Sequence, residues 1–279
     1  FSGVRLSDLA FSYDDEEEGE GTAGVAADGG AAGTGGAGDG AAGAGVAGGA
    51  VDAAGAAVVA SGGAAGAEKR AAGSASEDVG LTCENVFIPK GSFVVVEGPS
   101  GSGKSTLFKL VLGAYDADGF AYELADTARA AASQVPPRAF AYVPQDNFLF
   151  AGTVRENVAF AAPDATDDQV KRACEIACAW DFVEELPQGL DTMIGEHGQG
   201  LSQGQLQRLA IARAVCSGAP IMVLDEVTSA LDNATEAAVL ANIAQLPGKT
   251  VFVAAHRAKA REFATMRLHV ENGVLSEVR

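Results

Sequence analysis

The stretch Gly98-Pro-Ser-Gly-Ser-Gly-Lys-Ser-Thr106 fits the phosphate-loop pattern GxxxxGK[ST]. The apolar segment Phe93–Glu97 that precedes it predicts a strand, and Thr106–Leu112 after it predicts a helix. Glycines allow successive backbone N–H groups to face phosphate oxygens, and the start of the helix adds partial positive charge. The sequence therefore predicts a strand–loop–helix unit that binds the phosphates of a nucleoside triphosphate.

Two side chains of this loop are predicted to act on the phosphates. Lys104 is placed to bridge the β- and γ-phosphates, and the Ser105 hydroxyl is placed to ligate Mg²⁺. The remaining residues of the predicted nucleotide cradle are Ser100, Gly101, Ser102, Gly103 and Thr106. On its own, the loop predicts a nucleoside triphosphate without specifying the base.

An acidic pair follows an apolar run further along the chain. The run Ile221-Met-Val-Leu-Asp225-Glu226 predicts a buried strand that ends in two carboxylates. Because ligands bind at the carboxyl ends of strands in a parallel sheet, Asp225 is placed to hold Mg²⁺, directly or through water. Glu226 is placed to take a proton from an attacking water, since phosphoryl transfer depends mainly on positioning. The alternative for this pair alone is an acidic start to the next helix.

Strand patterns alternate with helical patterns along the rest of the chain, which indicates an α/β fold with a largely parallel sheet. The further predicted strands are Val4–Tyr13, Leu81–Ile88, Phe140–Val143, Ile221–Leu224, Val251–Ala255, Arg267–Val270 and Val274–Val278. The predicted helices are 153–186, with breaks near Pro163 and Pro187, then Gln205–Val215 and Thr235–Leu246. Asn272-Gly273 between the last two strands is a strong hairpin turn signal.

Residues 14–78 differ in composition from the rest. An acidic run, Asp14–Glu20, leads into a segment made almost wholly of glycine, alanine and small residues. Such a composition cannot bury enough apolar surface to offset the entropy lost on ordering. We therefore predict a disordered insert, which a domain tolerates because the cost of loop closure grows slowly with length.

The overall composition excludes some classes of partner. The formal net charge of −18 over 279 residues opposes non-specific binding to nucleic acid, whose phosphates repel it. No window of the sequence satisfies the length rule for a membrane span. The four cysteines include no C-x-x-C pair and predict reduced thiols.

Several further motifs, taken in order, resemble those of the ABC-type ATPases. Leu201-Ser-Gln-Gly-Gln205 is similar to the LSGGQ signature, and Ser229-Ala-Leu-Asp232 resembles the D-loop. The other matching positions are Gln145 for the Q-loop, His256 for the switch histidine and Tyr13 for the aromatic residue that stacks on adenine. The resemblance covers nearly all of the chain outside the insert.

This resemblance implies a P-loop NTPase fold, namely an ABC-type ATPase domain with a mostly parallel core sheet and a small antiparallel β part. A helical subdomain over residues 151–216 would carry the signature. Two such domains would enclose ATP and Mg²⁺ head to tail, each phosphate loop facing the signature of its partner. The implied catalytic residues are Lys104, Gln145, Glu226 and His256. The further implied nucleotide contacts are Tyr13, Ser202, Gly204, Gln205 and Asp232. The implied Mg²⁺ contacts are Ser105, Gln145 and Asp225.

Within the family, the chain resembles the exporter class. The segments Phe148-Leu-Phe-Ala-Gly-Thr-Val-Arg-Glu-Asn157 and Leu186-Pro-Gln-Gly-Leu-Asp-Thr192 are similar to exporter sequences. This implies an ATPase at the cytoplasmic face of the cell membrane that powers export. Its partners would be a second ABC domain, identical or not, and a transmembrane domain on the same polypeptide upstream of Phe1. Two alternatives stay open: a soluble ABC ATPase acting on nucleic acid or ribosomes, and a regulatory half of a heterodimeric transporter.

Two features depart from the family pattern. Gln203 stands where the signature has glycine, which would weaken or redirect a close backbone contact with phosphate. The insert begins directly after Tyr13, on the adenine side, where the family has a short connection. For Arg208 and Arg213, which follow the signature, we predict ion pairs on the helix surface.

Overall fold

The structure, a computed structural model, describes residues 1–12, 80–123, 129–146, 149–195, 200–254 and 258–278. The predicted insert 14–78 lies outside the described residues, as do Tyr13 and His256. In the described part of the chain, no helix combines the length and apolar character needed to cross a membrane.

The chain alternates strands and helices, as its sequence predicts. The strands are β1 (Gly3–Phe11), β2 (Leu81–Pro89), β3 (Phe93–Glu97), β4 (Phe120–Glu123), β5 (Arg129–Ala130), β6 (Phe140–Val143), β7 (Gly152–Thr153), β8 (Met193–Ile194), β9 (Ile221–Asp225), β10 (Thr250–Ala254), β11 (Met266–Glu271) and β12 (Val274–Val278). The helices are α1 (Lys104–Val111), α2 (Val154–Val158), α3 (Asp167–Ile176), α4 (Trp180–Glu185), α5 (Gln203–Cys216) and α6 (Asn233–Ala244).

One mixed sheet contains most of the described strands, in the order β5-β4-β1-β2-β12-β11-β3-β10-β9-β6. Its centre is parallel, because β3 pairs with β10 and β11, and β9 pairs with β10 and β6, all in the same direction. The pairs β1–β2, β1–β4 and β11–β12 are antiparallel. The predicted fold class, a mostly parallel core sheet with a smaller antiparallel part, is confirmed.

The central strand β3 shows how the core is divided. Every residue of this strand is buried, and alternate side chains enter different hydrophobic clusters. Val94 and Val96 join the cluster that contains Leu107 and Phe108 of α1. Phe93 and Val95 join the cluster that contains buried residues of α5 and α6. The phosphate loop therefore starts from a strand that is covered on both faces.

Residues 151–216 contain helices α2 to α5 and the small β7–β8 pair. The break predicted near Pro163 is confirmed, since α2 ends at Val158 and α3 begins at Asp167. Helix α5 packs against α2 and α3. The treatment of this segment as a separate subdomain remains a prediction.

The structure contains four short strands that the sequence patterns do not predict, namely β4, β5, β7 and β8. Strand β4 shows why, because its position depends on pairing with the distant β1, with Phe120 opposite Leu6. Tyr122 of β4 is fully buried, and its hydroxyl donates to the Val111 carbonyl at 2.7 Å. A short run that owes its structure to distant partners carries little periodic signal.

Where the sequence analysis predicts surface ion pairs for Arg208 and Arg213, the structure shows both side chains donating to carbonyl groups. Arg213 donates to the backbone carbonyl and the side-chain oxygen of Asn157 at 2.8 and 2.9 Å. Burial lowers the pKa of this arginine to about 10. Arg208 donates to the Cys178 carbonyl at 2.7 Å and lies over the Phe182 ring. Both guanidinium groups therefore bind carbonyls between helices.

Glu97, at the end of β3, is a buried carboxylate that ties the base of the phosphate loop to two other segments. It accepts from Arg261 at 2.6 Å and from Arg267 at 3.2 Å. Burial alone would raise the pKa of Glu97, but the hydrogen bonds from Arg267 and Arg261 outweigh it and hold the pKa below its ordinary value. The ionised form of Glu97 is therefore favoured in the folded protein.

Replacing Glu97 with glutamine is expected to lower the free energy of unfolding at pH 7 by about 1 to 2 kcal/mol, because two charge-assisted hydrogen bonds become neutral ones. A folded-state pKa below the unfolded value contributes stability that is complete above the unfolded pKa, near 4.5, and is lost as the pH falls through the folded value. Urea unfolding between pH 3 and 7 measures the free energy of unfolding of the unmodified protein and of Glu97→Gln. The difference between the two values should shrink below about pH 4.5. A difference independent of pH would contradict it.

Candidate functional site

The phosphate loop leaves β3 at Gly98 and enters α1 at Lys104. Gly98 has a φ of 148°, and a Cβ there would lie 2.1 Å from the Val270 carbonyl oxygen, so a side chain does not fit. Gly103 precedes α1 with a φ of 110°, in the left-handed region that glycine tolerates. These two glycines hold the loop in a shape that other residues would strain.

Lys104 lies inside this loop. Its residue exposure is only 7%, and its Nζ donates to the carbonyls of Gly98 and Pro99 at 2.9 and 2.7 Å. Burial lowers the pKa of Lys104, while the nearby carboxylates of Glu226 and Asp225 act to raise it. The cation is therefore held at the loop and within electrostatic reach of the acidic pair.

Ser102 supplies an observation that favours an anionic ligand. Among the described residues, its Oγ is one of two buried side-chain polar atoms without a hydrogen-bond partner. A buried hydroxyl that makes no hydrogen bond is costly, and a phosphate oxygen would accept one from it. Ser105, in the first turn of α1, is exposed, whereas Thr106 is buried. The loop thus fits a phosphate group, and the exposed Ser105 hydroxyl is accessible to a cation.

The acidic pair lies at the end of β9, which β10 separates from β3 in the sheet. The Glu226 Oε2 accepts from the Gln145 Nε2 at 3.2 Å, which brings the predicted Q-loop residue to the predicted base. Glu226 has a φ of 53°, a left-handed conformation that is strained for a residue with a side chain. Such strain is typical of residues that the surrounding fold holds in a functional position.

Tyr142 is a site residue that the sequence analysis misses. It lies on β6, and its hydroxyl is 3.4 Å from the Asp225 Oδ2, a long hydrogen bond. Burial, followed by the charge of Asp225, raises the pKa of Tyr142 to about 12, so its hydroxyl keeps its proton. Only the pairing of β6 with β9 reveals this neighbour, and sequence periodicity carries no information on strand order.

The signature residues form a second group. Ser202 begins α5 as its N-cap, accepting from the Gln205 backbone N–H, and the Gln205 side chain accepts from the Ser202 N–H in return. A Cβ on Gly204 would lie 3.2 Å from the Ala230 carbonyl oxygen, so α5 closely approaches the D-loop segment. Asp232 caps α6 by accepting from the N–H groups of residues 234 and 235.

These residues line a groove between the start of α5 and the start of α6. Its lining includes Ser202, Gly204, Ala230 and Asp232, together with Gln203. Among the described residues, no member of the phosphate loop lines this groove. The structure therefore brings the predicted site residues together in two groups, one around Lys104 and Glu226 and one around Ser202 and Asp232.

Comparisons with known proteins identify the family of the chain. Residues 83–229 match the family described as ABC transporter. An ATP-dependent lipid A-core flippase of Vibrio cholerae serotype O1 is 44% identical over 193 residues, covering 68% of this chain and 33% of the relative. The corresponding flippase of Thiobacillus denitrificans is 43% identical over 193 residues with the same coverage. The chain thus spans about a third of the length of these curated relatives.

A solved structure is also similar. The structure of a bacterial Atm1-family ABC exporter with ATP bound is 27% identical in sequence and has a TM-score of 0.67. The match covers 99% of this chain and 38% of the exporter chain. The family match extends from within β2 through the phosphate loop, the signature and the acidic pair to Ser229. On these grounds the chain belongs to the ABC transporter family and is an ATP-binding and ATP-hydrolysing domain of that family.

Proposed function

We propose that this domain powers export across a membrane by closing on a second ABC domain around ATP and reopening after hydrolysis. The observation that carries the proposal is the meeting of Lys104, Gln145 and Glu226 at the carboxyl ends of the parallel strands. The relatives named as flippases, and the Atm1-family exporter, support a transport role. The remaining two thirds of such relatives would correspond to a transmembrane domain upstream, with this domain at the cytoplasmic face.

In this proposal the phosphate loop binds the triphosphate through its backbone N–H groups, and Lys104 exchanges loop carbonyls for phosphate oxygens. Ser105, Gln145 and Asp225 are the residues that would hold Mg²⁺. A bound Mg²⁺ would neutralise charge on the β- and γ-phosphates. Ser102 would donate its buried hydroxyl to a phosphate oxygen.

Glu226 is proposed to accept a proton from the attacking water while the bond between the γ-phosphorus and the bridging oxygen breaks, which yields ADP and phosphate. Gln145 orients the Glu226 carboxylate by donating to its Oε2. His256 would contact the γ-phosphate, and Tyr13 would stack on adenine. In the two-domain assembly, Ser202, Gly204, Gln205 and Asp232 would complete the site of the partner, with the start of α5 facing the γ-phosphate.

Replacing Lys104 with alanine is expected to weaken MgATP binding about 10- to 100-fold, because a charge-assisted contact with the β- and γ-phosphates is lost. Equilibrium titration with a fluorescent ATP analogue measures the dissociation constant. Lys109→Ala is the matched control, since Lys109 is an exposed lysine on the same helix. If Lys104→Ala binds MgATP with unchanged affinity, the assignment of residues 98–106 as the phosphate-binding loop is wrong.

Glu226→Gln is expected to retain MgATP affinity within about twofold and to lower turnover about 100-fold or more, because glutamine keeps the shape but cannot accept the proton. The protein should then accumulate as an ATP-bound dimer, detected as doubled mass by size exclusion with light scattering. Glu262→Gln is the control, since this exposed carboxylate pairs with Lys259 of the same short helical segment at 3.1 Å. Ordinary turnover in Glu226→Gln would show that another group takes the proton.

Ser202→Arg is expected to abolish the ATP-dependent dimer of the Glu226→Gln protein while leaving ATP binding to the phosphate loop of the same chain unchanged. The substitution also removes a helix cap, which costs about 1 kcal/mol. Thr166→Arg controls for this loss, because Thr166 caps α3 in the same way, with Gln169 as its partner. If the dimer persists in Ser202→Arg, Ser202 does not contact the nucleotide of the partner domain. If the dimer is lost equally in Thr166→Arg, the loss reflects the missing helix cap and not that contact.

Mixing chains adds a symmetry test of the same prediction. When a Ser202→Arg chain pairs with a Lys104→Ala chain, one composite site carries both lesions and the other carries neither. Some hydrolysis should therefore return on mixing two inactive proteins, provided that one intact site suffices for turnover. No recovery at any ratio, with dimers present, would contradict the head-to-tail arrangement.

A further inference from the structure

Gln207 is a buried amide that the proposed mechanism does not use. It lies on α5 beyond the signature, and only 3% of the residue is exposed. Its Nε2 donates to the Ser229 Oγ at 3.2 Å, and its Oε1 accepts from the Ala230 N–H at 3.1 Å. A backbone N–H can only donate, so the orientation of the amide is fixed. Both the nitrogen and the oxygen of the Gln207 amide therefore bind the loop of residues 226–232.

The same loop makes further contacts with the helices on either side. From α5, Gly204 approaches the Ala230 carbonyl so closely that an added Cβ would lie at 3.2 Å. From α6, the Glu236 carboxylate accepts from the Thr228 hydroxyl at 2.8 Å, and Glu236 is only 2% exposed. The 226–232 loop is thus fastened on both sides by buried polar groups.

A short hydrogen-bonded path leads from Gln207 to Glu226. Ser229, whose hydroxyl accepts from Gln207, donates its backbone N–H to the Glu226 carbonyl at 3.3 Å. Glu226 holds a left-handed conformation, with a φ of 53°, that needs support from its surroundings. The Gln207 amide is therefore one of the groups that hold the backbone of the predicted base in place.

We propose that Gln207 is a positioning residue for Glu226, and that its amide couples the signature helix α5 to the hydrolytic carboxylate within a single chain. The inference rests on the proposed function of Glu226. A shift of α5, such as closure on a second domain would produce, would be transmitted through the Gln207–Ser229 contact to the backbone that carries Glu226. Loss of this contact would leave ATP bound but Glu226 poorly aligned with the attacking water.

The test is a double-mutant cycle on the full chain with single-turnover ATP hydrolysis as the readout. Gln207→Met keeps the length of the side chain and removes both hydrogen bonds. It is expected to lower the hydrolysis rate about five- to tenfold, with the dissociation constant for MgATP changed less than about twofold. In the Glu226→Gln background, Gln207→Met should have no further effect, because a residue that acts through Glu226 has nothing left to position.

Two further variants separate positioning from stability. Asn242→Leu removes another partly buried amide between helices, whose Nδ2 donates to the Ile176 carbonyl at 3.1 Å, and should lower the melting temperature while keeping the hydrolysis rate within about twofold. Ser229→Ala removes the same hydrogen bond from the other side and alters an exposed side chain, so it replaces Gln207→Met as the test variant if that protein fails to fold. It should lower hydrolysis several-fold with the melting temperature unchanged.

Different results overturn different conclusions. Unaltered hydrolysis in Gln207→Met or Ser229→Ala would overturn the positioning role. It would also be overturned if Gln207→Met lowered the hydrolysis rate by the same factor in the Glu226→Gln background as in the unmodified protein. The same holds if Asn242→Leu destabilised the protein equally and lowered the hydrolysis rate by the same factor. Absence of hydrolysis by the unmodified full chain, with two domains paired, would instead overturn the proposed function.

Discussion

The parallel pairing of β10 with both β3 and β9 is the constraint on which the site depends. It aligns the carboxyl ends of β3 and β9, which lie on either side of β10, so that the phosphate loop and the acidic pair emerge at the same end of the sheet. The buried cation of Lys104 and the carboxylates of Asp225 and Glu226 then lie within electrostatic reach, although more than 100 positions separate them in the sequence. The covered faces of β3 and β9 fix this alignment, because any slip in register would move buried side chains out of their clusters.

The same sheet explains which parts of the site the sequence could predict. The phosphate loop and the acidic pair each lie within one continuous segment, where the residue types and their spacing determine the local chemistry. Tyr142 and Gln207 act through contacts with distant segments, and such contacts depend on strand order and helix packing. The contact of Arg213 with Asn157 escaped prediction for the same reason, because Asn157 lies on another helix.

Element boundaries show a related pattern. Helix α5 begins at Gln203, before the predicted start at Gln205, because Ser202 and Gln205 form a reciprocal capping box. That motif was readable in the sequence as serine followed three residues later by glutamine. The order of the strands in the sheet was not readable, since β4 and β1 are far apart in the chain and meet only through tertiary pairing.

The capping geometry also constrains what Ser202 and Asp232 can do in the proposed assembly. The Ser202 oxygen accepts from the Gln205 N–H, and its own O–H proton remains a donor that suits a phosphate oxygen. Asp232 accepts from Thr235 and from two backbone N–H groups, and the hydrogen bond from the Thr235 hydroxyl is the main cause that lowers its pKa. An ionised carboxylate can only accept hydrogen bonds, and it repels phosphate. In a head-to-tail dimer the two caps would therefore differ in role, with Ser202 facing the γ-phosphate and Asp232 facing hydrogen-bond donors of the nucleotide sugar or the partner domain.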